Sequence, residues 1–203
     1  QNAWMYHGGG LGLLRDLYKP IGVMLIPCGN VGVQMAGFYR KEINSPDDLK
    51  GLKFRIGGLG GMILQKLGVV PQQIPPSDIY PALERGTIDA AEWIGPYDDE
   101  KLGLHKVAKY YYTPGWWEGS AQVSLLVNQS AWNELPRTYR GALEVACAEA
   151  TLLMMAKYDA KNPAALRRLI AAGVQFRQFP RSVMDVAYKA TLETYEELSV
   201  KNA

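Results

Sequence analysis

Two textures divide the chain. Up to Asn128 the apolar residues fall in short runs bounded by Gly, Pro, Asn and Ser. Such runs read as buried strands, and the helical patterns between them as crossovers. The predicted extended segments are 21–26 (IGVMLI), 31–43 (VGVQMAGFYRKEI), 52–56 (LKFRI), 69–74 (VVPQQI), 87–94 (TIDAAEWI), 107–113 (VAKYYYT) and 120–128 (SAQVSLLVN). Short helices separate them. One covers 11–18 and is stopped by Pro20, and one-turn SPDDLKG at 45–51 has a Ser cap and a Pro at its first position. Others are MILQKLG after the glycines of 57–61, SDIYPALERG ending on Gly86, and residues 96–106.

After Asn128 the period changes. In RTYRGALEVACAEATLLMMAKYD (137–159) apolar groups stand at 139, 143, 146, 147, 150, 153 and 154, which is helical spacing over several turns. A second helix is predicted over 162–173, a short strand over VQFRQF, and a last long helix over 180–200. Strands alternating with helices and then giving way to helix predict an α/β chain with a mostly parallel sheet.

Composition narrows the function. With 203 residues the chain suits one large or two small domains. A net charge of +2 gives no field for nucleic acid or an anionic membrane. No apolar run reaches the ~18 residues that a membrane-spanning helix needs. The first residues, QNAWMYHGGG, contain no initiating Met, basic n-region or apolar h-region, as expected of a processed or truncated chain. Cys28 and Cys147 lack metal-type spacing, and sequence leaves open whether they are free thiols or one disulfide. Trp and Tyr outnumber Phe and cluster at 110–112 and 116–117. Amphipathic rings near turns suit either a binding cleft or the edge of a core.

Several residues sit against their surroundings. GGLGG at 57–61 falls between a strand and a helix. Ile63 occupies the third glycine position of a dinucleotide fingerprint, and no Lys-Ser/Thr follows, so neither nucleotide motif is met. The loop reads as a tight turn or as a backbone approach for an anion. Arg55 lies in the apolar strand KFRI and needs a partner, either a protein acid or a ligand carboxylate. In IDAAEWI, period two sets Glu92 on the face of Ile88, Ala90 and Ile94, so Glu92 needs a cation: Arg, Lys or a metal. Gln34 sits in mainly apolar VGVQMAG, and Glu118 follows two Trp in PGWWEG. Together these are hard oxygen donors of the kind sodium or calcium accepts. His7 and His105 lack local partners, and no GxSxG or HExxH occurs, so no catalytic residue is assigned. A metal-dependent enzyme acting on carbonyl acids would also need a general base, and none stands near these donors. Asp98, Asp99 and Glu100 open a helix, where acids complement the dipole.

The motifs SPDDLKGLKFRI, LERGTIDAAEW and YYYTPGWWEG, with the sequence from Gly29 to Ser120 that holds them, resemble the solute-binding proteins of tripartite ATP-independent periplasmic (TRAP) transporters. The chain is most similar to the branch that binds 2-oxoacids such as pyruvate. A related branch binds lactate with calcium. The resemblance implies a periplasmic binding protein and not an enzyme. It implies two α/β lobes joined by crossing strands and a long helix around a ligand cleft. The implied division gives 30–92 mainly to one lobe and 93–128 to the crossing segment and part of the other. Residues 129–203 form a helical region.

Family members have N-terminal strands and C-terminal helices beyond the extent of this chain, the latter supporting a homodimer in the full-length protein. By the same resemblance Arg55 fixes the substrate carboxylate, with Gln34, Trp93 and Trp117 also at the substrate. A metal ion, sodium first and calcium second, is held by Gln34, Glu92, the Trp93 carbonyl and Glu118. The implied partners are a small carboxylate ligand and the TRAP membrane permease subunits, with no nucleic acid. Alternatives of the same fold are a calcium-dependent 2-hydroxyacid binder and a metal-free organic-acid binder. The implied location is the periplasm, with the signal peptide absent from this chain.

Overall fold

The computed structural model describes residues 1–201. Its helices are α1 (Asn2–His7), α2 (Gly10–Tyr18), α3 (Gly58–Lys66), α4 (Pro76–Arg85), α5 (Pro96–Leu102), α6 (Gln129–Glu134), α7 (Arg137–Ala171) and α8 (Arg181–Lys201). Its strands are β1 (Val23–Asn30), β2 (Gly37–Tyr39), β3 (Lys53–Arg55), β4 (Val70–Gln72), β5 (Ala90–Ala91), β6 (Tyr110–Thr113), β7 (Gln122–Asn128) and β8 (Gln175–Gln178). They fall into two units. The first comprises Gln1–Gly32 and Ser120–Lys161, and the second comprises Val33–Gly119 and the chain from Asn162 onward.

In the first unit β1 and β7 form an antiparallel pair, with Val23 opposite Asn128 and Asn30 opposite Gln122. The register shifts between Pro27 and Gly29, where proline has no N–H to give the ladder. The Asn128 side chain accepts the Ser130 and Ala131 N–H groups at 3.0 and 3.2 Å, which starts α6. Ile26, Trp132 and Cys147 form a small core here. Cys28 is disulfide-bonded to Cys147, which settles the alternative that sequence left open. Such a bond belongs to an oxidising compartment.

The second unit is built on a six-stranded sheet in the order β4-β3-β5-β2-β6-β8. The β4–β3, β3–β5 and β6–β8 pairings are parallel, while β2 runs antiparallel to β5 and β6 in the middle. Alternation along the strands divides neighbours between two cores. Tyr39, Phe54, Ala90 and Tyr112 pack on one face with Leu64 of α3 and Val183 of α8. Phe38, Ala91 and Tyr111 pack on the other with Ile79 and Leu83 of α4 and Leu169 of α7. The tyrosines at 111 and 112 are therefore core residues. The Tyr112 hydroxyl is satisfied by donating to the Ile43 carbonyl and accepting its N–H.

Four expectations are corrected. The strand expected over 87–94 keeps only Ala90–Ala91, because its neighbours β2 and β3 are three residues each and leave Glu92 and Trp93 beyond the ladder. Of 31–43 only Gly37–Tyr39 is strand; Gly37 has φ +94°, and a Cβ there would lie 2.2 Å from the Ala91 carbonyl oxygen. The helices expected at 137–159 and 162–173 are one, continuous through Pro163. Proline removes one helical N–H, but its φ suits a helix, and fully buried Ala165 and Leu169 anchor the turns beyond it. The helix expected over 96–106 is divided by Gly103, whose φ of +70° ends α5.

Candidate ligand and cation site

The site residues come from three loops at sheet ends in the second unit. Gln34 precedes β2, Glu92 and Trp93 follow β5, and Trp117 and Glu118 follow β6. Backbone hydrogen bonds join the loops. Met35 N–H donates to the Ile94 carbonyl at 3.1 Å, Gly115 N–H to the Gln34 carbonyl at 3.1 Å, and Gln34 N–H to the Glu118 carbonyl at 3.4 Å. The turn at Gly115 requires glycine, since a Cβ would stand 2.7 Å from the Met35 carbonyl oxygen and 2.8 Å from that of Gln34.

Arg55 ends β3 and is held three times. Its Nη1 donates to the Glu92 carbonyl at 2.7 Å and to Glu92 Oε1 at 3.0 Å, and its Nε donates to the Ile74 carbonyl at 3.3 Å. Among the described residues Nη2 has no hydrogen-bond partner. The guanidinium lies 5.2 Å from the Trp93 ring centroid, a cation–π distance. Arg55, Gly57, Gln73, Ile74, Pro75 and Trp93 line a cleft of about 480 Å³. That space admits a small acid with its carboxylate on the guanidinium.

The acids behind Arg55 are uncomfortable. Glu92 is buried, and its carboxyl is pushed up to about 7 by burial, with Glu118 and Asp99 adding to the shift and Arg55 opposing it. Glu118 is shifted upward by burial, again opposed by Arg55. One terminal atom of the Gln34 amide lies 3.2 Å from Glu118 Oε2 and 3.3 Å from the Trp93 carbonyl oxygen. With NH₂ at that position both contacts are hydrogen bonds. With oxygen there, three oxygens converge and need a cation between them. A half-turn of one amide thus converts a self-satisfied cluster into a hard-oxygen ligand set. Trp117 Nε1 is buried without a hydrogen bond of good geometry, yet it lies near enough to the Glu92 carboxylate to oppose its upward shift.

Gln34, Arg55, Glu92, Trp93, Trp117 and Glu118 are therefore brought together. Trp117 contributes from behind: its ring packs edge-on against Phe54 at 5.8 Å and against Gly60. Among the described residues no group of three His, Cys, Asp or Glu could hold a metal. The donor set here is two carboxylates, an amide and a peptide carbonyl, which suits a hard cation rather than zinc.

Sequence reasoning missed two contributors. The Ile74 carbonyl orients Arg55, and no side-chain pattern marks a backbone acceptor. In sequence Asp99 reads, with Asp98 and Glu100, as a helix-opening acid. Asp98 does pair with Lys101 at 2.8 Å, and Glu100 with Arg168 through two contacts of 2.8 and 2.6 Å. Asp99 is 1% exposed; it accepts the Tyr111 hydroxyl at 2.7 Å and the Ile94 N–H at 3.0 Å.

Comparison with known proteins agrees with this architecture. Residues 1–202 match the family of bacterial extracellular solute-binding proteins, family 7, and the chain belongs to that family, which includes the solute-binding proteins of TRAP transporters. It is 49% identical over its whole length to the monocarboxylate 2-oxoacid-binding periplasmic protein of Nostoc sp., of which it spans 56%. A TRAP solute-binding protein of Bordetella bronchiseptica is 63% identical with a TM-score of 0.96, over 98% of this chain and 60% of that one. It was solved as a mixed-occupancy dimer with copurified calcium and picolinate in one active site and the other apo. A Pseudoalteromonas atlantica relative, solved with sodium and pyruvate, is 43% identical with a TM-score of 0.94, over 99% of this chain and 61% of that one. The chain thus spans a little more than half the length of these proteins. The family is one of periplasmic binding, not catalysis. Among the described residues no helix is long and apolar enough to cross a membrane.

Proposed function

We propose that the protein captures a small 2-oxoacid such as pyruvate in the periplasm and delivers it to TRAP permease subunits. Arg55 receives the ligand carboxylate. A bound cation, sodium or calcium, would be held by Gln34, Glu92, the Trp93 carbonyl and Glu118, and would supply positive charge to the ligand's carboxylate and 2-oxo oxygens. The observation that carries this reading is the meeting of one Gln34 amide atom with Glu118 Oε2 and the Trp93 carbonyl, beside an arginine whose Nη2 has no hydrogen-bond partner among the described residues. The Nη2 hydrogens offer the first contact. The Nε–Ile74 bond, at 3.3 Å the longest of the three, is the one a second carboxylate oxygen would replace to complete a fork. With a ligand in the cleft, Trp93 and the apolar walls at Ile74 and Pro75 would limit the water around it, which would strengthen the charge contacts within. Two acids with raised pKa values are poor neighbours for each other and good neighbours for a cation.

Thermal unfolding of purified protein with pyruvate, in sodium or calcium and after chelation in a sodium-free buffer, tests the proposal. Ligand that binds only the native state raises the melting temperature by mass action. Wild type is expected to be stabilised only with a cation present, and Arg55→Ala to lose the response. A persistent response in Arg55→Ala would refute the role of Arg55. An undiminished response without either ion would refute the cation bridge.

A further inference from the structure

Asp99 takes two directed hydrogen bonds that helix opening does not require. Its Oδ1 accepts the N–H of Ile94 and its Oδ2 accepts the hydroxyl of Tyr111, itself fully buried in the core. The Ile94 N–H belongs to the same peptide as the Trp93 carbonyl, and that peptide is trans. In a trans peptide N–H and C=O point in opposite directions. Asp99 therefore grips the back of the unit whose front is the Trp93 oxygen, 3.3 Å from the Gln34 amide. The flanking acids do not share this: Asp98 pairs with Lys101 and Glu100 with Arg168.

We infer that Asp99, held by Tyr111, is a positioning residue that aims and polarises the Trp93 carbonyl and thereby raises the site's preference for a divalent over a monovalent cation. The inference rests on the cation-dependent reading above. An acceptor at the N–H end increases the negative character of the carbonyl at the other end, as cooperative hydrogen bonding does. The energy of an ion with a fixed dipole or charge scales with the ion's own charge. A loss of alignment or polarisation therefore weakens calcium binding by about the square of the factor for sodium. Partners behind metal ligands commonly change metal affinity by ~10- to 100-fold.

The test titrates purified wild type, Asp99→Asn and Tyr111→Phe with calcium chloride or sodium chloride at fixed saturating pyruvate, reading melting temperature and tryptophan fluorescence. Asp99→Asn is expected to lower apparent calcium affinity roughly tenfold and sodium affinity roughly threefold. Tyr111→Phe should shift the ratio in the same direction by less. If Asp99→Asn does not fold, Tyr111→Phe carries the test alone. An unchanged calcium-to-sodium ratio in the folded variants overturns the inference, as does an equal loss for both ions, which would mark Asp99 as merely structural. A wild type that responds to neither ion overturns the cation reading itself. A responsive wild type with unresponsive ratios in the variants overturns only the role of Asp99.

Discussion

The two units solve the problem of staying folded in different ways. The first has a two-stranded ladder, a core centred on Ile26, Trp132 and Cys147, and a disulfide joining residues 119 apart in sequence. Many of its apolar side chains are exposed, among them Leu13, Leu17, Leu126, Val145 and Leu152. The second has a six-stranded sheet packed on both faces, with Phe38, Tyr39, Phe54, Tyr111 and Tyr112 fully buried. It also contains the groups that oppose folding: Glu92 and Asp99, each buried and each with its carboxyl pushed up to about 7 by burial first. The lesson is that a larger packed core lets the candidate site hold buried charges that would weigh more heavily on a smaller one. The unit with the smaller core relies on a covalent link.

The largest expected effect tests that contrast directly. Removing a native disulfide that closes a long loop costs about 2–5 kcal/mol. Reduction, or Cys28→Ala with Cys147→Ala, should therefore raise amide exchange sharply in β1, β7 and residues 137–161, and only slightly in β3, β5 and β6. Equal acceleration in β3 and β5 would show that the units do not differ in this way, and the comparison would fall.

Glu92→Gln probes the other side. Burial and the nearby Glu118 and Asp99 disfavour the Glu92 charge more than Arg55 favours it, which is why its carboxyl sits near 7. A neutral isostere removes that penalty along with the ion pair. Ion-free stability in calorimetry is expected to equal or exceed wild type, while the response to cation plus pyruvate is lost, a trade-off common at binding sites. A variant that is less stable than wild type but still responds to the ligand would reverse the argument.

Much of this was legible in the sequence, for reasons that differ by residue. Short apolar runs marked the strands of the second unit, and Ser45 and Gly86 marked helix ends that the backbone obeys, whereas the stop at Gly103 went unread inside the expected 96–106 helix. Arg55, Glu92, Gln34 and Glu118 stood out because polar groups in apolar settings need partners, and the fold does gather them. The extent of TIDAAEWI was not legible, since a strand's length is set by neighbours that its own residues do not encode. Pro163 misled because helix continuity there depends on packing beyond it. Asp99 was hidden among three consecutive acids. Its burial and its bonds to the Tyr111 hydroxyl and the Ile94 N–H distinguish it from Asp98 and Glu100, and both are set by tertiary packing that the run of acids does not encode.

The smallest effect lies at an exposed helix start in the second unit, where the site's burdens are absent. Asp48 Oδ2 accepts the N–H groups of Asn44 and Ser45 at 2.9 and 2.8 Å, closing a capping box with Ser45. Those backbone bonds, led by that of Asn44, lower its pKa below the ordinary value of 3.8. The sign follows from proton binding. Between the folded and unfolded values the unfolded chain takes up more protons, so the stabilisation is full above about 3.8 and is lost as pH falls through the lower, folded value. Asp48→Ala, which removes hydrogen bonds to two backbone N–H groups, is expected to cost about 0.5–1.5 kcal/mol at neutral pH and to flatten the acid limb of a stability–pH curve measured by denaturant unfolding. It should leave the pyruvate response unchanged. A changed response would mean that packing at the edge of the second unit and the strain at its site are coupled.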